Sequence, residues 1–147
     1  LAELGAPPER AHPLIRSLKR AQNGSSDPIA NLRAFSLAFA RFGLRNPTFY
    51  ALLAPRPDPG VAPPQSAEEA RAILERPLAK LAADGRLAAD LEATQRVVWA
   101  FLHGFVLLRT HRSDVLFHKD VLEVGIDALI RSLIRDAGPL AREETPR

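Results

Sequence analysis

Leu91-Glu92-Ala93-Thr94-Gln95-Arg96-Val97-Val98-Trp99-Ala100-Phe101-Leu102-His103-Gly104-Phe105-Val106-Leu107-Leu108-Arg109-Thr110 is the stretch that decides the fold. Leu91, Thr94, Val98, Phe101, Phe105 and Leu108 recur at spacings of three and four, the period of one face of an α-helix. Asp90 supplies an N-cap ahead of them. Trp99 and His103 are four apart and share a second face, offset from the Phe101/Phe105 side. Two apolar faces on one helix predict burial nearly all round. The uncharged run from Val97 to Leu108 is nevertheless too short for a bilayer, which needs ~20 apolar residues.

Working outward, helical spacing recurs and alternating strand patterns do not. Upstream, Ser66-Ala67-Glu68-Glu69 matches a capping box, with Ser66 as cap. The helix it opens carries Ile73, Leu74, Leu78 and Leu81, is predicted to kink at Pro77, and stops near Gly85. Ala54 to Gln65 holds Pro55, Pro57, Pro59, Pro63 and Pro64 and reads as a mobile loop. Asp27-Pro28 caps and starts a helix with Leu32, Phe35, Phe39 and Phe42 on one face, ending near Arg45. Asn46-Pro47 repeats that signal and predicts a short helix carrying Phe49, Tyr50, Leu52 and Leu53. The segment from Leu1 to Gln22 is a weak helix interrupted by Pro7, Pro8 and Pro13, with Leu14, Leu18 and Ala21 as a short stripe.

Downstream, His111 to Asp114 turns the chain, and a last helix is expected from about Val115 to Ala137, stopped by Gly138-Pro139. The whole reads as one all-α domain over residues 1–147, a bundle of about five to six helices. Its ends, about 1–13 and 139–147, are expected to be poorly ordered.

Composition narrows the function. A chain of 147 residues that is 46% hydrophobic and 25% charged has the balance of a soluble globular domain. The absence of cysteine excludes disulfides, thiolate metal sites and Cys nucleophiles. The net charge of +3 comes from arginines scattered among acids. Only Arg10, Arg16, Lys19 and Arg20 gather, opposite Glu3 and Glu9, which favours a solvated face over a nucleic-acid surface. There is no methionine, so the chain is expected to be part of a longer product.

Catalysis finds little support. The histidines are His12, His103, His111 and His118, and no glycine-rich nucleophile turn accompanies them. No pair of carboxylates shares a face within an apolar helix, so we expect no enzyme. Asp114 and His118 have helical spacing, but no second pair joins them, so no metal or cofactor is expected. Binding is better supported. His103 is either a core histidine satisfied by a carbonyl or the one polar group of an apolar pocket that orients a ligand. The stripe Phe35, Phe39, Phe42 is likewise core or pocket wall. Gly104 lets a neighbour approach closely. In the last helix Val121, Leu122, Ile126, Leu129, Ile130, Leu133 and Ile134 exceed what one core face requires, the mark of a subunit interface.

Val98-Trp99-Ala100-Phe101-Leu102-His103-Gly104 resembles the Trp-x-x-x-His-Gly signature of one class of C-terminal regulatory domain in the tetracycline-repressor family of bacterial transcription factors. Leu32-Arg33-Ala34-Phe35 through Phe42-Gly43-Leu44-Arg45-Asn46-Pro47-Thr48-Phe49-Tyr50 resembles that class's Tyr/Phe-rich helix and Asn/His-Pro turn, and Ala83-Asp84-Gly85-Arg86-Leu87 its lead-in to the Trp-bearing helix. The resemblance runs from about Leu14 to Ala137 and departs at Pro7, Pro8, Pro13 and the proline-rich loop. It implies a ligand-responsive, dimerising, cytoplasmic regulatory domain whose helix-turn-helix half, absent here, reads DNA. The expected pocket is Phe35, Phe39, Phe42, Tyr50, Leu74, Trp99 and His103, between the Phe-bearing and Trp-bearing helices. Its effector is expected to be small and mostly apolar, because no Lys, Arg or carboxylate is read on that helix face. The expected homodimer interface is Val98, Phe105, Leu122, Ile126, Leu129 and Leu133. The alternative is a helical dimerisation module without a ligand.

Overall fold

In the computed structural model the residues described are 12–48, 60, 64–112 and 121–138. Among the described residues five helices follow one another: α1 Pro13–Gln22, α2 Pro28–Arg45, α3 Gln65–Ala83, α4 Leu91–His111 and α5 Val121–Leu133. Pro13 does not break α1 but starts it. The fixed φ of proline suits the first helical position, and His12 Nδ1 accepts from the Leu14 N–H at 3.1 Å as the cap. In α2, Asp27 Oδ1 accepts from Ile29 N–H at 3.0 Å, as the Asp-Pro pair predicts. Asn46 ends α2, its Nδ2 donating to the Phe42 carbonyl at 3.0 Å, and the helix expected beyond Pro47 lies largely outside the described residues.

The capping box of α3 is not formed. The helix begins two residues earlier, with Pro64 at the cap position and no side-chain cap bond among the described residues, and it places Ser66 inside the first turn. A Gln65 to Glu69 hydrogen bond of 3.0 Å braces that turn instead. At the other end Arg86 N–H bonds to Leu81 O at 2.9 Å and Gly85 N–H to Ala82 O at 3.0 Å, a Schellman closure. It requires the positive φ of Gly85, 67°. Asp90 then caps α4 through Ala93 N–H at 2.7 Å. α5 stops at Leu133 rather than Ala137, because the Leu133 carbonyl and the Arg135 N–H find partners outside the helix. Ala88 N–H donates to Leu133 O and Arg135 N–H to Arg86 O, both at 2.8 Å, around an antiparallel pairing of Leu87 with Ile134.

Helix α2 touches all four of the others. Ile29, Leu32, Phe35, Leu37, Phe39 and Ala40 are buried, so its apolar residues face several directions. Leu14, Ile15 and Leu18 of α1, Ile73, Leu74, Leu78 and Leu81 of α3, Val98, Leu102 and Val106 of α4, and Leu122, Ile126 and Ile130 of α5 complete the core around it. Fully burying one such side chain contributes about 1.5–3 kcal/mol. Buried polar groups on α2 are satisfied: Ser36 Oγ donates to Leu32 O at 2.8 Å, and Arg33 Nε reaches Asp127 Oδ1 of α5 at 2.8 Å. Arg41 adds a 3.1 Å pair with Glu123. Thr94 Oγ1, by contrast, is buried and has no hydrogen-bond partner among the described residues; leaving such a group unpaired costs about 1–3 kcal/mol.

Pro77 lies within α3 and is buried. Lacking an N–H, it leaves the Ile73 carbonyl without its helical donor. Gln22, the last residue of α1, supplies one through Nε2 at 3.3 Å. Gln22→Ala is therefore expected to cost about 1 kcal/mol, and less when Pro77→Ala restores the helical N–H. Urea unfolding of the four proteins in a double-mutant cycle measures this coupling, and a Gln22→Ala loss that is the same in both backgrounds would refute it.

Candidate ligand-binding site

The residues of α4 sort into three faces. Thr94, Val98, Leu102 and Val106, spaced by four, form the buried stripe. On one flank lie Glu92, Gln95, Arg96, Trp99 and His103, and on the other Val97, Phe101, Gly104, Phe105 and Leu108. The helix is therefore not buried all round: Val97 is 43% exposed, Leu107 40% and Leu108 49%. Aromatic periodicity alone could not separate a core stripe from an outward flank.

Trp99, His103 and Phe39 form one aromatic cluster. Ring centroids are 4.8 Å apart for Trp99 and His103, 5.0 Å for Phe39 and Trp99, and 5.4 Å for Phe39 and His103. All three pairs are tilted or edge-on, the favourable geometry for aromatic rings. Phe39 approaches from α2, is buried, and continues into the core by stacking on Phe35 at 6.1 Å. Trp99 and His103 are only half-buried.

Their outer edges line an open cavity of about 550 Å³ between α3 and α4, together with Arg71, Glu92, Gln95, Arg96 and Ala100. Gln95 Nε2 donates to the Arg71 carbonyl at 3.2 Å and ties the two walls. A smaller depression beside Ala67 and Glu68 shares Arg71 and Trp99. Two expectations change here. The cavity opens toward α3, not between α2 and α4. Its rim also carries two arginines and a carboxylate, where no charge was expected on that face.

The other residues singled out from sequence separate. Phe35 and Leu74 are fully buried core residues that do not line this cavity. Phe42 is half-buried with its ring 6.4 Å from that of His12, and it lines a different depression, beside Arg20 and Arg45. Tyr50 lies outside the described residues. Of the expected interface residues, Val98, Leu122 and Ile126 are buried within the chain at 2%, 7% and 1% exposure, so a partner cannot reach them. Phe105, Leu129 and Leu133 remain partly exposed. Glu92, Gln95 and Arg96 escaped the sequence reading, although they sit seven, four and three residues before Trp99 on one helical stripe. Nothing local marks Arg71, whose place depends on how α3 pairs with α4.

Residues 32–135 match the family model described as tetracyclin repressor-like, C-terminal domain. The chain belongs to this family. The resemblance carried by the Leu32–Tyr50 and Val98–Gly104 stretches holds at that level, and the all-α fold agrees with it. Domains of this family are regulatory rather than enzymatic, which makes the chain the regulatory domain of a tetracycline-repressor-type regulator. No curated protein and no solved structure matches the chain. Among the described residues, no helix is long and apolar enough to cross a membrane.

Burial pushes the His103 imidazole below its ordinary pKa of 6.5. The unfolded chain then binds a proton that the folded chain refuses. The stability involved is fully present above the unfolded pKa and declines as pH falls toward the folded value. Between about pH 7 and about pH 5, His103→Gln should lose less thermal stability than the parent. His12 is shifted the same way, by burial, and is common to both proteins. Equal losses in the two proteins would remove His103 from this account.

Proposed function

We propose that this domain binds a small organic effector in the cavity beside Trp99 and His103. Occupancy would then shift the spacing of a dimer's DNA-reading domains, helix-turn-helix segments N-terminal to the residues described here. The observation that carries this reading is the open cavity of about 550 Å³ walled by an aromatic cluster. Its size falls within the range of small-molecule sites. Trp99 offers a broad apolar wall, and the half-buried imidazole of His103 stands beside it as a polar group whose burial disfavours the charged form. An effector acts by binding one spacing more tightly than the other, so DNA affinity follows occupancy. Such a regulator works in the cytoplasm, where its DNA is.

Trp99 is the chain's single tryptophan and reports on its own site. A screen of small aromatic compounds should find members that change Trp99 emission saturably and raise the melting temperature. The stabilisation approaches about 3 kcal/mol at a hundredfold excess over Kd. A diverse library without one such compound would favour the ligand-free dimerisation module.

The dimer is proposed to form through the second flank of α4 and the outer side of α5. Val97, Leu108 and Val124 are the large apolar residues left exposed there, at 43%, 49% and 63%. Phe101 runs continuous with them and fits against Gly125, where an added Cβ would lie 2.6 Å from its ring. Replacing Leu108 and Val124 with Glu leaves the protomer core untouched, yet places unpaired charges in the interface. Sedimentation should show a dimer for the parent and a folded monomer for the double variant. A parent that is monomeric at micromolar concentration would exclude this interface.

A further inference from the structure

The rim of the Trp99 cavity is unevenly charged. Glu92 and Arg96, four apart on α4, form an ion pair with each other and so cancel locally. Arg71 of α3 has no such partner: among the described residues it makes no ion pair, although Glu68 and Glu75 stand three and four residues away on its own helix. Phe39, the contribution of α2 to the cluster, brings no charge. The uncompensated group at this cavity is therefore a guanidinium. Its side chain is exposed, while its backbone is held at the rim by the Gln95 amide.

Arg71 also recurs beside Trp99. The two residues line both the main cavity and the smaller depression next to it; Glu68 also lines the depression but not the main cavity, so the main cavity is where an anion against the indole meets Arg71 without that carboxylate. Arginine presents a planar fork of donors that matches a carboxylate or sulfonate with two parallel bonds, and it cannot be discharged at working pH. Deeper along the stripe, burial pushes the His103 imidazole below its ordinary pKa and so disfavours a second positive charge. Charge at the rim, an apolar wall next, and a polar group beyond it define a direction as well as a site.

We propose that the cavity selects an organic anion with a flat apolar body, its acid group clamped by Arg71 and its ring system laid against Trp99. This rests on the effector-site reading above and narrows it from an apolar compound to an aromatic acid. The acid end points outward to Arg71 and the apolar end inward toward Phe39 and His103.

The test uses two dyes with the same ring skeleton, anilinonaphthalenesulfonate and its uncharged parent phenylnaphthylamine, titrated into the purified chain by fluorescence. The sulfonate should bind about tenfold more tightly, the yield of one charge-assisted contact. Arg71→Gln should abolish that advantage without altering phenylnaphthylamine binding, and Arg71→Lys should restore part of it. Trp99→Leu should weaken both dyes, and circular dichroism checks that each variant is folded. Equal affinities for the two dyes, with Arg71→Gln silent and Trp99→Leu weakening both, would overturn the anion preference while leaving the cavity as the effector site. Saturable binding that ignores Trp99→Leu, or none by either dye, would overturn the effector-site reading and this inference together.

Discussion

Helix α2 must be buried on several sides at once, and the remaining structure follows from how that is achieved. Its apolar residues are covered by α1, α3, α4 and α5, each of which contributes one stripe. A helix surrounded in this way can carry few polar groups, and those it carries are committed. Ser36 bonds back to its own helix, and Arg33 and Arg41 are clamped to Asp127 and Glu123 of α5. Removing Arg33 would strand the Asp127 carboxylate in a site only 13% exposed, so this contact helps to set the rotation of α5 about α2.

Because α2 takes up one stripe of α4, the rest of α4 is available for other uses. One flank turns toward α3 and carries the aromatic and charged residues around the cavity; the other turns toward α5 and stays apolar. Phe39 joins these roles. It belongs to the core, yet its ring supports Trp99 and His103 from behind. The orientation of the cavity wall is thus fixed by core packing.

Much of this was legible in the sequence. The helical periods of α2, α3 and α4, the Asp27 and Asp90 caps, the stop at Gly85 and the sharing of one face by Trp99 and His103 are local properties, and local rules recover them. The errors arise where two local signals compete or where the answer depends on tertiary pairing. Pro13 reads equally as breaker and starter, and His12 decides the matter by capping. Ser66 offers a capping box, but α3 begins at Gln65, ahead of it. The burial of Val98, Leu122 and Ile126 inside the chain, and the presence of Arg71 at the cavity, depend on helix rotation and neighbour identity. No single-helix pattern contains that information.

The pairing of Leu87 with Ile134 has a mechanical consequence. It fastens the start of α4 to the end of α5, while the eight residues between Arg112 and Val121 tie the opposite ends together through the chain itself, so the two helices belong to a closed ring and are not free arms. Gly125 and Phe101 mesh partway along, where their close fit resists sliding. The two ties differ in kind: one is covalent, and the other rests on backbone hydrogen bonds that can be undone. A force applied to this ring would yield at the Leu87–Ile134 pairing and not at the covalent end.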